Sequence, residues 1–244
     1  MSAKLRVLIN CDLGESEAQL LDGTQRSILA KIHLANVCCG AHAGGEALTR
    51  LTMQQAAEAK VRVGAHPGYP DPEHFGRRPL FGTQYDAAQV SSMVAEQVAF
   101  AIEAAASSGL TLYHVKAHGA LYNEAAVDGA VAEAIAVGVR RVAKDVFLVG
   151  LAKSVMLNVF RRQGFVVLRE SFADRRYTKE GLLVPRTEAN AMIDDPVEAL
   201  SQLQSIADFS DTVCIHSDTP NALAMLEALM PFCSNLRPVP PART

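Results

Sequence analysis

The chain has 244 residues, 49% of them apolar and 20% charged, enough to bury a large core either as one α/β barrel or as two small domains. Its formal charge of -3, with arginines and lysines scattered among acids, gives no basic field and argues against a nucleic-acid partner. The first apolar run, "LRVLIN", is too short for a secretory segment and no later run reaches the length of a membrane span, so the expected location is the cytoplasm.

Five cysteines, an odd number without a C-x-x-C pair, fit reduced buried thiols better than a disulfide framework. Cys11 and Cys214 sit in apolar, strand-like runs, where a nucleophilic role is the minority reading. No Pro/Ser/Gly linker or charge block divides the sequence, so residues 1–244 are expected to form one domain.

In chain order, "LRVLIN" (5–10) and "IHLANVC" (32–38) predict strands, and "EALTRLTMQQAAEAK" (46–60) predicts a helix. A third strand, "VRVGA" (61–65), precedes a long helix at 86–109, with Asp86 as its N-cap and Gly109 just past its end. "LYHVKA" (112–117) predicts a fourth strand, followed by a glycine turn at Gly119 and a helix at 127–145 that stops where Asp145 meets the next strand. "VFLVG" (146–150), "FVVLR" (165–169) and "TVCIH" (212–216) complete seven strands, and "NALAMLEALM" (221–230) adds a last helix.

Strand followed by helix, repeated, predicts parallel strands with right-handed crossovers. A doubly wound sheet gathers its functional residues near one switch point, whereas a barrel collects them from most strand ends at one mouth. Here six of the seven strands run into polar segments: "NCDLGE", "CCGAHAGG", "GAHPGYPD", "KAHGALYN", "ESFADR" and "HSDTPNA". The α/β fold is therefore expected to be a seven-stranded barrel.

In the fourth strand, alternation puts His114 and Lys116 on one face, with His118 just beyond the strand end. Tyr113, Val115 and Ala117 are the more apolar set and are expected to face the helices. A buried ammonium requires an anionic ligand or a carboxylate to offset its desolvation. A lone histidine in a strand is usually a hydrogen-bonded structural residue, and His33 and His74 are assigned to that class. His42, His66, His118 and His216 differ, because each follows a different strand beside glycine or an acid, where only a shared mouth would collect them. Asp12 and Glu15 in "CDLGES" either cap the following helix, with Ser16 as another candidate, or belong to the site. Arg77 and Arg78, in "GRRPLFG", either form a solvated loop or clamp a carboxylate or phosphate.

Six segments occur in the order of a known family: "DLGES", "ANVCCGAHAGG", "GAHPGYPD" with "FGRR", "HVKAHGALYN", "ESFADRRYTKEGLLVPR" and "CIHSDTPNA". On these segments the chain resembles the LamB/YcsF family from Asn10 to about Ala222. It departs from the family pattern at Ala117 in place of proline, Gly45 in place of an acid, Ala41 in place of an aromatic residue and Ser217 in place of glycine, and it is shorter between Glu15 and Asp22. The resemblance implies an irregular TIM-like (β/α) barrel similar to the glycoside hydrolase/deacetylase fold. It also implies opening of the lactam of 5-oxo-L-proline to L-glutamate, driven by ATP hydrolysis, in a complex with two further subunits, B and C.

That chemistry requires cations for phosphate and carboxylate, a base for water and an acid for the ring nitrogen. Lys116, Arg77 and Arg78 are assigned to anion binding, Asp12 and His118 to base and orienting partner, and His42, His66, His216 and Asp218 to the polar ring. Glu15, Tyr122, Asn123, Asp174 and Arg175 are assigned to substrate binding, although an Asp174–Arg175 pair that only braces its loop is an equal alternative. No phosphate-binding loop or G-x-G-x-x-G fingerprint occurs, so ATP as a cofactor rests on the resemblance alone, with a subunit interface as one possible site. Two other readings stay open. Asp12 with two or three of His42, His66 and His118 could ligate a divalent metal for an amidase that needs no ATP, or the chain could be a non-catalytic scaffold, and in any of these cases a homo-oligomer.

Overall fold

Seven β-branched runs form the staves of a closed, all-parallel barrel: β1 (Leu8–Leu13), β2 (Leu34–Cys38), β3 (Arg62–His66), β4 (His114–Lys116), β5 (Phe147–Leu151), β6 (Val167–Phe172) and β7 (Thr212–Cys214). The computed structural model describes residues 7–233, so Leu5 and Arg6 of the first expected strand lie outside the described residues. Each strand pairs with its sequence neighbour, and β7 closes on β1 with Asn10 opposite Cys214.

The expected seven-stranded barrel is present, with shifted strand ends. β1 runs on to Leu13 because Asp12 and Leu13 pair with Asn36 and Val37, so Asp12 is a strand residue rather than a loop residue. β6 likewise continues to Phe172 and takes in Glu170.

The connections carry helices α1 (Glu17–Leu21), α2 (Thr24–Leu29), α3 (Glu46–Glu58), α4 (Ala87–Ser107), α5 (Gly119–Val127), α6 (Gly129–Val142), α7 (Val155–Arg162), α8 (Pro196–Ile206) and α9 (Ala222–Leu229). At the start of α4, Asp86 accepts from the Gln89 amide while the Gln89 side chain accepts from the Asp86 amide, a reciprocal cap. The expected glycine turn at 119 is instead the first turn of α5, which places Tyr122 and Asn123 on a helix. The expected helix 127–145 is also shorter and preceded by a break: Asp128 ends α5 and its carboxylate caps α6 by accepting from the Ala130 amide at 2.8 Å. None of the helices among the described residues is long and apolar enough to cross a membrane.

Alternation along the strands separates two cores. Outward residues such as Ile9, Val37, Val63, Val115 and Ala117 join the helices in one large cluster, while Leu8, Leu34, Phe147, Val149 and Leu168 fill the inside of the barrel at its amino-terminal end. Tyr113 departs from its expected helix-facing place: it packs on the inner cluster, 4.8 Å between ring centroids from Phe147, because it precedes β4 and folds under the barrel floor.

Helices α4 and α6 pack closely where Gly138 faces Ser91. A Cβ at Gly138 would lie 2.5 Å from the Ser91 carbonyl oxygen, a backbone atom that cannot rotate away. Gly138→Ala should therefore lower stability by about 1–3 kcal/mol in urea unfolding. An unchanged midpoint would show that the two helices separate without cost.

Candidate active site

Above the apolar floor, the inward residues turn polar. Asn10, Asn36, His114 and Thr212 are buried and linked: Asn10 Nδ2 donates to Thr212 Oγ1 at 2.8 Å, Asn36 Nδ2 to Asn10 Oδ1 and to Asp12 Oδ1 at 2.7 Å each, and His114 Nε2 to Asn36 Oδ1 at 2.6 Å. Burial, followed by Lys116 and His66, pushes the His114 imidazole down to about 3, so the ring is neutral. Gly64 makes room for it, since any Cβ there would collide with the imidazole.

The next layer holds the charges. Lys116 Nζ lies 2.9 Å from Asp12 Oδ1 and 3.1 Å from Glu170 Oε1, and all three side chains are under 5% exposed. Burial opposes ionisation of Lys116, and Asp12 and Glu170 reverse that, holding its pKa well above the ordinary value. The Cys214 thiol, 3.2 Å from Nζ, stays protonated because burial drives its own pKa up. Burial also opposes the charge of Asp12, but His66 and Lys116 outweigh it and keep the carboxyl well below the usual carboxylate range. Glu170 meets Lys116 as an ion pair without directed geometry, and among the described residues its two oxygens and the Tyr122 hydroxyl find no hydrogen-bond partner.

Beside this triad, three imidazoles converge on Glu15. Its Oε1 is 3.0 Å from His42 Nε2, 3.3 Å from His118 Nδ1 and 3.8 Å from His66 Nε2. The His42 and His118 rings stack at 3.7 Å, with His66 edge-on to both. Burial, then His42 and His66, hold the His118 pKa well below the ordinary imidazole value, whereas at His42 hydrogen bonds with Cys38 and Glu15 reverse the effect of burial and raise it. These four residues are of metal-ligating type and lie close enough together to hold a divalent ion. Asp12, Cys214 and His216 form a second such group.

At the rim, Asp174 Oδ2 accepts from the His216 ring at 2.9 Å, from the His216 amide at 2.8 Å and from Thr219 Oγ1 at 2.7 Å. His216 then turns Nε2 toward Asp12 Oδ2 at 3.9 Å. Asp218 is shared between Arg77 at 2.7 Å and Arg186 at 3.1 Å. The nearby Arg175 is 4% exposed, its Nε has no partner among the described residues, and burial together with Arg186 pushes its pKa down to about 10. A cavity of about 650 Å³ connects these groups, lined by Asp12, Glu15, His66, Lys116, His118 and His216 at its base and by Arg77, Arg175, Arg186 and Asp218 nearer the rim.

The sequence model of the LamB/YcsF family matches residues 7–235. The chain belongs to the LamB/YcsF family. Relatives named as the A subunit of 5-oxoprolinase include one from Chloroflexus aggregans, 40% identical over 92% of this chain and 94% of its own, and one from Bordetella pertussis, 40% identical over 91% and 92%. The crystal structure of a "lactam utilization protein" from Thermus thermophilus superimposes with a TM-score of 0.81 at 34% identity, over 91% of this chain and 95% of that one.

In this LamB/YcsF chain, thirteen of the side chains expected at the site either line the cavity or belong to the layers directly beneath it. His42 and Asp174 are of the second kind: His42 sits behind Glu15, and Asp174 sits behind His216. Arg78 is not brought to the cavity, because Asp71 takes its guanidinium at 2.8 and 2.9 Å. The Asp174–Arg175 pair is divided, with Asp174 bracing His216 and Arg175 lining the cavity while it donates to the Val184 carbonyl. Structural roles hold for His33, whose Nδ1 accepts from the Ile9 amide, and for His74, which meets Asp71. Glu170, Arg186, Asn10 and Asn36 went unrecognised in the sequence. Alternation from Leu168 marks Glu170 as inward, but no local pattern announces Arg186, which a long excursion after β6 returns to the mouth.

Burial opposes the charge of Asp174, and His216 and Thr219 outweigh it, so its pKa in the fold lies below the usual value. Stability from this group is complete above its unfolded pKa of about 3.9 and is lost as pH falls through the lower folded value. Asp174→Asn should cost about 1.5–3 kcal/mol at pH 7, and urea midpoints should show the gap to wild type narrowing below about pH 4. A gap that persists at low pH would mean that the carboxylate charge is not what holds His216.

Proposed function

We propose that this chain carries the ring-opening site of a cytoplasmic 5-oxoprolinase, converting 5-oxo-L-proline to L-glutamate with ATP hydrolysis, in a complex with partner subunits B and C. One observation carries the reading: a lysine kept charged inside a barrel, between two buried carboxylates, at the base of a cavity whose rim holds three arginines. The names of the 40%-identical relatives point the same way.

A five-membered lactam is a poor electrophile, and phosphorylation of its amide oxygen by ATP makes the ring carbon reactive. Water adds to that carbon, and the C–N bond breaks with its electron pair on nitrogen, which takes a proton. A second water then releases phosphate from the resulting acyl phosphate, leaving glutamate. In this scheme the substrate carboxylate lies at Arg77, Arg175 and Arg186, and Lys116 faces the negative charge that develops on oxygen. Asp12, held by Asn36 and Lys116 beside the His66–His118 pair, orients the attacking water and accepts its proton. His216, held by Asp174 and open to the cavity at Nε2, is placed to protonate the ring nitrogen. Tyr122 and Asn123, on the first turns of α5, close the wall beside the substrate. No step assigns ATP to this chain, and phosphorylation is left to the complex.

A second reading, opening of a cyclic amide without ATP, draws on the Glu15 cluster beside Asp12. Glutamate release from 5-oxoproline, measured with and without ATP and partner subunits, separates the two: release should require both. In the assembled complex Lys116→Ala should reduce turnover by about 10²–10³-fold. Full turnover in that variant would reduce the chain to a scaffold, and release by the lone chain without nucleotide would establish the second reading.

A further inference from the structure

The hydrogen bonds behind the imidazole cluster fix where its protons are. His66 Nδ1 lies 2.8 Å from the Lys116 carbonyl oxygen, and His118 Nε2 lies 2.8 Å from the Phe75 carbonyl oxygen. A carbonyl oxygen only accepts, so each of these ring nitrogens carries the hydrogen. In neutral imidazoles the inner nitrogens, His66 Nε2 and His118 Nδ1, are then bare lone pairs, yet they face each other at 3.0 Å. Around them lie only further acceptors: Glu15 Oε1 at 3.3 and 3.8 Å and, beside His66, Asp12 Oδ2 at 3.3 Å. Electron pairs turned on one another at this range require a cation between them.

One proton, on either ring, would relieve one of these contacts and leave the others opposed. A metal ion satisfies all of them at once. Ligand bonds of about 2.0–2.1 Å in a tetrahedron place neighbouring ligand atoms about 3.3 Å apart. The observed separations among Glu15, His42, His66 and His118 are 3.0, 3.0, 3.3 and 3.8 Å, and all four ligand atoms lie within 4.8 Å of one another. The backbone carbonyls behind His66 and His118 are the outer-shell acceptors that orient ligating imidazoles.

The scaffold is built for close approach. Phe75 adopts a left-handed φ of 55°, uncommon for a bulky side chain, and from there aims its carbonyl at His118. Gly68 and Gly76 leave the space the rings occupy, since a Cβ at either would lie 2.9 Å from His42.

We propose that Glu15, His42, His66 and His118 bind one divalent transition-metal ion. Three imidazoles with a single carboxylate suit zinc, cobalt or iron rather than magnesium or calcium, which prefer oxygen. Glu15 is then a ligand rather than a substrate contact, and Asp12, 3.3 Å from His66, stands beside the ion facing the cavity. Such an ion would make a bound water more acidic, and it can serve either reading of the reaction.

The test is metal content of the purified full chain, loaded separately with zinc and with cobalt and then dialysed. One ion per chain is expected in the wild type, with cobalt giving the visible absorption of a four-coordinate nitrogen–oxygen site. Glu15→Gln and His118→Gln, checked for folding by circular dichroism, should weaken retention about 100-fold or more. A wild type that retains neither metal overturns the proposal, as do variants that retain metal as tightly as the wild type. Should a variant fail to fold, the wild-type cobalt spectrum decides: bands of an all-water or six-coordinate ion count against the site. Glutamate release by the complex reads the lactam reaction separately, so either result can fail without the other.

Discussion

Placing an ammonium and two carboxylates inside a barrel is the constraint around which the rest of the interior is arranged. Each charge alone would be expelled or neutralised by desolvation, and the set is tolerable only when the remaining lone pairs and protons are engaged. Asn10 and Asn36 do this for Asp12 and Lys116, because an amide can donate to a carboxylate on one side and accept from an ammonium or imidazole on the other. Thr212 and neutral His114 end the chain of bonds. Below this layer Leu8, Leu34, Phe147, Val149 and Leu168 pack together inside, so the barrel is apolar toward its amino-terminal end and polar toward its mouth. Glu170 is the exception: its oxygens keep capacity to accept, which leaves it able to hold Lys116 while that group also faces a ligand.

The imidazole cluster extends the same principle to the loops. A strand fixes its side chains through register, but His42 and His118 lie just beyond strand ends, and other means hold them. Stacking fixes the two rings to each other, the Phe75 carbonyl fixes the tautomer of His118, and the Ala120 amide bonded to the Gly76 carbonyl ties the start of α5 to the loop after β3. Gly119 permits that tie, since its φ is 56° and a Cβ would lie 2.5 Å from the Gly76 oxygen. The cluster is thus rigid through backbone contacts between two loops, which makes its facing lone pairs a property of the fold rather than a chance of side-chain placement.

How much of this was legible in the sequence follows the range of the interactions. Alternation is local, so "HVKAHG" disclosed that His114 and Lys116 share a face, and the polar strand ends disclosed a single mouth. Strand length depends on the neighbour's register, which is why Asp12 and Glu170 were read at or beyond strand ends and are in fact inside the barrel. Whether a glycine starts a helix or makes a turn depends on what its amide and the next one meet, and at Gly119 the decisive partner is the distant Gly76 carbonyl in the loop after β3. Arg78 looked equivalent to Arg77, yet Asp71 lies seven residues before it and captures it, while Arg77 finds Asp218 across the mouth. Arg186 had no local signal, since its place is set by how the excursion after β6 folds back.

The charges at the mouth argue for the sign of what enters. Arg77 and Arg186 divide one carboxylate, Asp218, while among the described residues Arg175 makes no ion pair: its neighbour Asp174 turns Oδ2 to His216 and Thr219, and the buried Oδ1 makes no hydrogen bond. A guanidinium that is almost wholly buried, with an unpartnered Nε and its pKa lowered by burial and by like charges, is poorly compensated in the unliganded chain. An anion in the cavity supplies the missing partner and removes that cost, so binding is strengthened by relief of repulsion as well as by new contacts. In the proposed reaction a lactam bearing a carboxylate would gain at the rim with its ring toward Lys116 and Asp12, a gain not open to a neutral lactam. The rim therefore favours an anion, and under the proposed reaction the Lys116–Asp12 layer beneath it is where the amide end of the same molecule would be met.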